Sequence, residues 1–294
     1  MKKILSLFAI LFIALVLAAC GNGGTEEGNT DNAAEGSNEE GAEESSNEPA
    51  EIVVGASSTP HAEILKEAQP ILEEEGITLK IEEYQDYILP NDDLANGTLD
   101  ANYFQTVPYL ELTVSDTGYD LDYIEGIHIE PLGIYSKNIT SVDDIPENTE
   151  VIISRSISDH ARILALFEAE GLIKLDESVE KSAATVDDIT ENPLNLTFSP
   201  DVDAAFLPEM YESEEDALVA INGNYAIEAG LSPLDDALFH DGDNPNYENV
   251  VAVRSEDKDN EALNKLVEVL QSEEIQNFIL ENYGGAVVPV GGDK

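Results

Sequence analysis

The chain has 294 residues, of which 62 are Asp or Glu and 13 are Lys or Arg, so its formal net charge is −49. A polyanion this strong repels phosphate backbones, which excludes nucleic acid as a partner. It also excludes attraction to an anionic membrane surface through basic side chains. Hydrophobic residues make up 42% of the chain, enough to fill the core of one large domain or of two modest lobes.

The N-terminal segment, residues 1–19, has the pattern of a secretion signal. Lys2 and Lys3 precede an apolar run from Ile4 to Ala19 that is too short for a typical membrane span. Small residues stand directly before Cys20, the sole cysteine, and this pattern resembles the bacterial lipobox. The resemblance implies cleavage before Cys20 and acylation, including palmitate, that anchors the protein at the extracytoplasmic face of the cell membrane. A single-pass anchor that is never cleaved is the alternative.

Residues 20–50 have the composition of a disordered tether. Beyond Cys20 the segment contains mainly Gly, Asn, Glu, Ser, Thr and Ala, with no aromatic or branched aliphatic residue. Such a sequence cannot bury enough apolar surface to offset the entropy lost on ordering. A flexible chain of about thirty residues spans roughly 30 Å. We therefore expect a folded body that is connected to the membrane by a flexible tether.

From Ile52 onward, strand-like runs alternate with helical periodicity, which predicts an α/β fold. The run from Ile52 to Ala56 is typical of a buried strand. Thr59 and Pro60 predict the cap and first turn of a helix, and Gly76 predicts its end. The apolar residues of this helix share one face: Ile64, Leu65, Ala68 and Leu72.

The same order of elements returns later in the chain, which predicts a second lobe. Val151–Ile153 is typical of a buried strand, Ser158 is a candidate cap, and Gly171 predicts the end of the following helix. Extended chain across Pro131 predicts a crossing between the lobes, with a ligand cleft between them.

The sequence predicts three consecutive parts of the folded body. Lobe I covers 51–130, lobe II covers 131–224, and the chain returns to lobe I over 225–294. Within the return, Glu261 to Tyr283 predicts two amphipathic helices that are broken near Ser272.

Common enzyme motifs are absent from the sequence, including the phosphate-binding loop, the dinucleotide fingerprint, His-Glu-x-x-His and Gly-x-Ser-x-Gly. The histidines are widely separated, and their spacing does not predict a metal site: His61, His128, His160 and His240. Ser57 or Ser58 with His61 forms an alternative hydrolytic pair, although a capping turn explains the same residues. We predict a protein without catalytic activity, metal or cofactor.

Arginine is scarce in this chain, with three positions: Arg155, Arg162 and Arg254. Arg162 falls in the first turn of the second lobe's predicted helix. There a guanidinium beside free N–H groups would bind a carboxylate. The alternative is a surface pair with Asp159 at i, i+3, and Asp159 is also a candidate partner for a ligand ammonium.

Five aromatic residues cluster in irregular segments of the first lobe: Tyr84, Tyr87, Tyr103, Phe104 and Tyr109. Aromatic residues of loops commonly pack beneath those loops. The other interpretation is an aromatic pocket for an apolar side chain, in which a thioether would gain sulfur–ring contacts.

Two stretches, Asp86–Asn91 and Asp100–Leu110, resemble the methionine-binding lipoproteins of bacterial ABC importers. Further matches follow in family order at Glu130–Ser136, Ala220–Ala226 and Gly284–Ala286. The resemblance implies a two-lobed periplasmic-binding-protein fold that closes over one ligand and passes it to an ABC permease with its ATPase. Methionine or a closely related apolar amino acid is the implied ligand. A receptor for a short peptide or another amino acid is an alternative, as is a structural or adhesive surface lipoprotein.

The resemblance also implies roles for individual residues. Three aromatic residues would wall the side-chain pocket: Tyr87, Phe104 and Tyr109. Arg162 would bind the ligand carboxylate, and Asn222 would hydrogen-bond the amino-acid backbone.

Two positions of the implied site depart from the family pattern. Thr106 stands where the family usually has His beside the thioether pocket. Asp159 replaces the final Asn of the run before the family's arginine. Its carboxylate can accept a hydrogen bond from a ligand ammonium but would repel a ligand carboxylate.

Overall fold

A computed structural model describes residues 50–292 of the chain. The predicted signal peptide, the lipidation of Cys20 and the acidic tether up to residue 49 lie outside these residues. Within 50–292, none of the helices combines the length and the hydropathy that crossing a bilayer requires.

The described residues contain thirteen strands, in two large sheets and one small pair. In chain order the strands are β1 (Ala50–Ser57), β2 (Ile77–Tyr84), β3 (Ala101–Thr106), β4 (Leu121–Ile129), β5 (Gly133–Tyr135), β6 (Glu150–Ser154), β7 (Lys174–Leu175), β8 (Ile189–Glu191), β9 (Thr197–Val202), β10 (Leu218–Ile221), β11 (Phe239–His240), β12 (Glu248–Arg254) and β13 (Val288–Pro289). The first sheet has the order β13-β4-β12-β3-β1-β2, and the second has the order β11-β5-β10-β6-β9.

Eight α-helices connect these strands within residues 50–292. They are α1 (Glu63–Glu74), α2 (Leu89–Ala95), α3 (Val107–Thr117), α4 (Ile157–Ala169), α5 (Leu207–Ser213), α6 (Gly223–Glu228), α7 (Glu261–Leu270) and α8 (Glu273–Tyr283). The break between α7 and α8 falls at Ser272, as the sequence predicts, and the Ser272 side chain accepts a hydrogen bond from the N–H of Ile275.

The first lobe is built on the first sheet. β1 pairs in parallel with β2 and β3, while β12 pairs antiparallel with β3 and β4. Helices α1, α7 and α8 contribute to one apolar core with this sheet. The predicted face of α1 is buried in that core: Ile64, Leu65, Ala68 and Leu72. Burial of each of the three larger side chains, Ile64, Leu65 and Leu72, stabilises the fold by about 1.5–3 kcal/mol, so this face fixes α1 on the sheet.

The second lobe is built on the second sheet. β6 pairs in parallel with β10 and β9, and β5 pairs antiparallel with β10. The core on this sheet includes Ile163, Leu164 and Phe167 of α4, which the helical periodicity places on one face. This packing fixes the rotation of α4 and therefore which of its other residues faces the first lobe.

The chain crosses between the sheets at Pro131, between β4 and β5, where the sequence predicts a crossing. The second sheet also holds β11, which pairs with β5, and the next strand of the first sheet is β12. The predicted lobe limits of 131–224 and 225–294 stay a prediction, and the pairing of β11 favours a later return, between His240 and Glu248.

Two predicted helix caps are wrong. Thr59 has extended backbone (φ −128°, ψ 133°), and helix α1 begins only at Glu63 after a wide π-type turn. The Thr59 hydroxyl instead bonds to the Glu63 carboxylate at 2.8 Å. In the second lobe α4 begins at Ile157, so Ser158 lies inside the first turn and Ser156 occupies the cap position. A wide turn after β1 and a bend at Arg155 after β6 set these two helix starts, and a local pattern specifies neither.

Candidate functional site

A cavity lies where the two lobes face each other beside the crossing strands. All seven predicted ligand-binding residues line it: Tyr87, Phe104, Thr106, Tyr109, Asp159, Arg162 and Asn222. The first four come from the first lobe, and the last three come from the second. Their geometry is therefore consistent with one binding site, while their contact with a ligand stays a prediction.

Three aromatic rings form one side of the cavity. The ring centroids of Tyr87 and Phe104 are 5.7 Å apart, and that of Tyr109 lies 5.9 Å and 6.0 Å from them. Phe104 is on β3, Tyr109 is in the first turn of α3, and Tyr87 follows β2. The Tyr109 hydroxyl donates to the main-chain oxygen of Tyr87 at 2.9 Å, which fixes the loop that carries Tyr87. This wall suits an apolar or thioether side chain.

The other two aromatic residues of the cluster lie outside the cavity lining. Tyr103 is fully buried in the core of the first lobe, and the Tyr84 hydroxyl donates to Asp93 at 2.6 Å. For these two positions the packing interpretation holds.

Arg162 is buried at the opposite side of the cavity, with 7% of its surface exposed. Its Nε and Nη2 donate to the two carboxylate oxygens of Asp241 at 2.5 Å and 3.1 Å, and Nη2 also donates to the Glu130 carbonyl at 2.8 Å. The guanidinium lies 4.2 Å from the centre of the Tyr247 ring. These contacts fix the guanidinium in one orientation and use Nε and Nη2, which leaves Nη1 for a ligand carboxylate.

Asp241, rather than Asp159, is thus the carboxylate that pairs with Arg162. The alternative of a surface pair at i, i+3 does not describe this arginine. Asp241 follows β11, and its Oδ1 also accepts the main-chain N–H of Leu132 at 2.8 Å. The ion pair therefore connects α4, the chain crossing and the segment after β11.

Asp159 stands one helical turn before Arg162 and also lines the cavity. Its Oδ2 accepts a hydrogen bond from the Ser154 hydroxyl at 2.7 Å. Burial raises the pKa of the Asp159 carboxyl, and the hydrogen bond from Ser154 and the charge of Arg162 oppose that rise. A buried carboxylate of this kind gains from a cationic partner, and a ligand ammonium would supply one.

Two amide atoms at the start of α6 are buried and have no hydrogen-bond partner among the described residues. They are Oδ1 of Asn222 and Nδ2 of Asn224. Leaving a buried polar atom unpaired costs about 1–3 kcal/mol, and native proteins rarely do so without a reason. Oδ1 can accept a hydrogen bond and Nδ2 can donate one, so a ligand with both kinds of group would satisfy the two atoms.

Several contacts beside the cavity join the lobes directly. The Tyr87 hydroxyl donates to Oδ1 of Asn224 at 2.5 Å, and the Tyr225 hydroxyl donates to the carbonyl of Gln85 at 3.1 Å. The rings of Tyr87 and Tyr225 stack with centroids 5.0 Å apart. The lobes therefore already touch across the rim of the cavity.

Sequence reasoning missed several residues of the cavity. These are Gln105, Glu130, Asn224, Tyr247 and Asn249. Gln105, Glu130 and Asn224 fall within the stretches that resemble the family, so a signal was available for them. Tyr247 and Asn249 reach the cavity only because the chain returns from the second sheet beside it.

Two of the histidines that are widely separated in the sequence, His61 and His128, lie together in the structure. The rings of His61 and His128 lie 4.9 Å apart, and with Glu130 they bring two ring nitrogens and a carboxylate oxygen within 4.8 Å of one another. These atoms bond among themselves, since Nε2 of His128 lies 2.7 Å from Glu130 Oε1. His61 Nε2 lies 3.1 Å from Asn249 Oδ1, so its partner is an amide and not Ser57 or Ser58.

A two-lobed fold whose cavity is lined from both lobes defines the class of substrate-binding proteins of ABC transporters. An ABC transporter periplasmic substrate-binding protein from Coxiella burnetii is 36% identical, with a TM-score of 0.76 over 81% of this chain and 100% of that chain. A nutrient-binding protein from Burkholderia cenocepacia, solved bound to methionine, is also 36% identical, with a TM-score of 0.77 over 82% and 100% of the two chains. The predicted fold is therefore confirmed.

The family follows from the sequence comparisons. The methionine-binding lipoprotein MetQ of Bacillus subtilis is 42% identical over 293 residues, which is 99% of each chain. Residues 52–291 match the model of the NlpA lipoprotein family. The chain belongs to the NlpA lipoprotein family, as its resemblance to the methionine-binding lipoproteins predicts.

Proposed function

We propose that this protein is a lipid-anchored receptor that binds methionine or a closely related apolar amino acid and passes it to an ABC permease with its ATPase. The observation that carries the proposal is the composition of one cavity, which has aromatic rings on one side and Arg162, Asp159 and unpaired amide atoms on the other. A free amino acid has a carboxylate, an ammonium and a side chain. The cavity offers a complement to each.

The charged groups favour a zwitterion over an anion or a cation. Arg162 already has one carboxylate partner in Asp241, which compensates its charge. A ligand carboxylate would accept an additional hydrogen bond from Nη1. Asp159 is a second buried carboxylate without such a partner, and the ligand ammonium would complete it. A ligand without a carboxylate would leave Nη1 of Arg162 without an acceptor, and a ligand without an ammonium would leave Asp159 without a cationic partner.

The aromatic wall determines which ligand side chain fits the cavity. Tyr87, Phe104 and Tyr109 surround a space next to Thr106, which adds a methyl and a small hydroxyl. A thioether gains about 0.3–1.5 kcal/mol from each good contact with an aromatic ring. The relative from Bacillus subtilis is named for methionine binding, and the Burkholderia cenocepacia structure contains methionine. Methionine is therefore the first ligand to test.

We place the protein on the extracytoplasmic face of the membrane, anchored through lipid on Cys20. The support is the lipobox pattern before that cysteine and the membership of a lipoprotein family. Anchoring by two or more acyl chains is stable, whereas one chain gives only reversible binding.

The rim of the cavity favours a protein partner. Two large apolar side chains beside it are more than half exposed: Ile88 and Ile157. Ile88 and Ile157 stand on opposite lobes and line a groove that also reaches Tyr87 and Tyr109. Exposed apolar side chains that gather from both lobes are typical of a protein-binding surface, and a permease is the partner that this class of receptor serves.

Isothermal calorimetry with a panel of amino acids and dipeptides tests the ligand. We expect L- or D-methionine to bind most tightly, apolar amino acids of similar length to bind more weakly, and methionine amide to lose affinity because it lacks the carboxylate. Arg155→Met is the matched control for Arg162→Met, since Arg155 is exposed and pairs with Asp203 at the surface. A folded protein that binds no member of the panel contradicts the proposal, as does equal affinity in wild type and Arg162→Met.

A further inference from the structure

Glu130 is a residue of the cavity lining that contacts both lobes. It follows β4 at the chain crossing and is buried, with 5% of its surface exposed. Its Oε1 lies 2.7 Å from Nε2 of His128 and 3.3 Å from Nε2 of His61, and its side chain packs against Gly223, next to Asn224. Its main-chain oxygen accepts the hydrogen bond from Nη2 of Arg162. One residue thus connects two histidines of the first lobe with two ligand-facing groups of the second.

The tautomer of His128 follows from its two partners. The Tyr103 hydroxyl bonds to Nδ1 of His128, and burial raises the pKa of that hydroxyl well above its usual value, so it keeps its proton and donates it. The proton of neutral His128 is then on Nε2, where it donates to Glu130. Burial lowers the pKa of His128 to about 3 and that of His61 to about 4, so both rings are neutral at ordinary pH.

The packing around Glu130 is close enough to transmit small displacements. A Cβ on Gly223 would lie 2.6 Å from Glu130 Cβ and 3.0 Å from the Pro131 carbonyl, so α6 begins directly against this side chain. Gly223 is flanked by Asn222 and Asn224, whose unpaired amide atoms face the cavity. A shift of the Glu130 carboxylate would therefore move both amides.

We propose that Glu130, held in place by His61 and His128, is a positioning residue that sets the α6 amides and Arg162 for ligand binding. The proposal rests on the proposed function, since it concerns the same cavity. His128 lies outside the cavity lining, and its side chain bonds to Glu130, which is part of that lining. The affinity for ligand should therefore depend on a histidine that never touches the ligand.

Charge on Glu130 is the property that the arrangement requires. Nε2 of His128 donates to its Oε1, and Nε2 of His61, which bonds to Asn249 Oδ1, lies 3.3 Å from the same oxygen. An ionised carboxylate is a stronger acceptor for such N–H groups than a neutral one. Burial raises the pKa of Glu130, and the nearby His61 and Arg162 oppose the rise. The titratable groups that face it are His61 before α1, His128 on β4, Arg162 on α4, and the hydroxyls of three tyrosines whose pKa values its charge helps to raise: Tyr87, Tyr103 and Tyr283.

Three variants test the proposal by calorimetry with methionine. Glu130→Gln places an amide NH2 against N–H donors, and we expect the Kd to rise about tenfold or more. His128→Phe should weaken binding in the same way, whereas His128→Gln, whose amide can donate from near the Nε2 position, should recover much of the affinity. Glu248→Gln is the matched control, since this glutamate lies on the neighbouring strand β12 and outside the cavity lining.

The pH profile separates positioning from mere stabilisation. The ratio of the Kd of Glu130→Gln to that of wild type should fall towards one as the pH is lowered from about 7.5 to about 4.5, because protonated Glu130 resembles Gln. Asp159 titrates in both proteins and cancels from the ratio. A ratio near one at neutral pH overturns the proposal. The proposal is also overturned if this ratio of Kd values does not change with pH and the variants differ from wild type only in a lower melting temperature.

Nitrogen NMR of the histidine rings in the ligand-free protein tests the network without any ligand. We expect His128 to stay neutral, with its proton on Nε2, down to about pH 5. Titration of His128 near its usual value, or a proton on Nδ1, contradicts the proposal. If wild-type protein binds no methionine, the proposed function fails, and these spectra still decide whether the Glu130 network exists.

Discussion

At the scale of single residues, the buried pair of Arg162 and Asp241 has two separable roles. Each side chain has 7% of its surface exposed, so each depends on the other for charge compensation. Breaking a buried pair by removing one partner costs about 3–5 kcal/mol, mostly because an uncompensated charge remains. The arginine therefore contributes to stability through Asp241 and to binding through the face that it presents to the cavity.

This separation predicts the behaviour of two variants. Arg162→Met should lower the free energy of unfolding by about 3–5 kcal/mol, because Asp241 is left buried and charged. The double variant Arg162→Met with Asp241→Asn should recover most of that loss but still bind no amino acid. Urea denaturation and calorimetry of the three proteins check both parts. A single variant as stable as wild type, or a double variant that binds ligand, would contradict this account.

Replacement of Asp159 by Asn should have opposite effects on stability and on ligand binding. Burial raises its pKa in the folded protein, so the native state holds the proton to higher pH than the unfolded chain. The folded protein accordingly loses stability as the pH rises from the unfolded pKa through the raised folded pKa. Asp159→Asn should therefore raise the melting temperature at neutral pH and leave it nearly unchanged in strong acid.

The same substitution should weaken binding of a zwitterion at neutral pH, because the ligand ammonium loses its carboxylate partner. In wild type the affinity should fall as the pH is lowered through the raised pKa of Asp159, and in the variant the part of this fall due to Asp159 should disappear. Thermal melts at about pH 7.5 and about pH 2.5, and calorimetry at about pH 7.5 and about pH 5, measure the two effects. An equally steep pH dependence in the two proteins would exclude Asp159 as the partner of the ammonium.

At the scale of elements, the residues that the sequence predicts are those whose role is visible within one element or one family stretch. The buried face of α1 follows from helical periodicity, and Arg162 stands out through the scarcity of arginine. Asp241 and Tyr247 are far from Arg162 in sequence, and only the return of the chain past β11 brings them beside it. No local pattern encodes such a contact, which is why these two residues were missed.

The histidine cluster illustrates the same limit. His61 is turned inward by the wide turn before α1, and His128 lies on β4, which is separated from β1 by two other strands in the sheet. The sequence does not predict that the two histidines lie in contact, because the order of strands is a property of the whole sheet. Spacing along the chain therefore underestimates which residues a mixed sheet can bring together.

The contact between α6 and the chain crossing predicts the effect of one methyl group. In Gly223→Ala the new Cβ would lie too close to Glu130, so α6 must move away from the crossing. Overpacking of this kind costs about 1–3 kcal/mol, and the displaced amides should weaken ligand binding as well. The measurements are the melting temperature and the Kd for methionine.

The matched control for this variant is Gly97→Ala. Gly97 has open space around its Cβ position but a φ of 82°, so alanine there is strained only through the backbone. This control should lower the melting temperature and leave the Kd unchanged. If both variants lose stability and neither loses affinity, the position of α6 does not govern binding.

At the scale of the whole molecule, the charge of the chain sets how it responds to salt. With 62 acidic and 13 basic residues, repulsive pairs of carboxylates outnumber attractive ion pairs. Exposed pairs such as Lys66 with Glu83 are worth at most about 1 kcal/mol each. Screening should therefore remove more repulsion than attraction, and salt should stabilise the fold.

We expect the free energy of unfolding to increase as sodium chloride is raised from about 0.1 M to about 1 M, over which the Debye length falls from about 10 Å to about 3 Å. The Kd for methionine should change little over the same range, because the ligand has no net charge and the Arg162–Asp241 pair is buried. A sorbitol series of equal osmolality separates screening from the effect of reduced water activity. Stability that stays flat or falls with salt, while sorbitol raises it, would mean that the acidic surface is not under repulsive strain. An affinity that falls steeply with salt would mean instead that the ligand is held by exposed charges rather than inside the cavity.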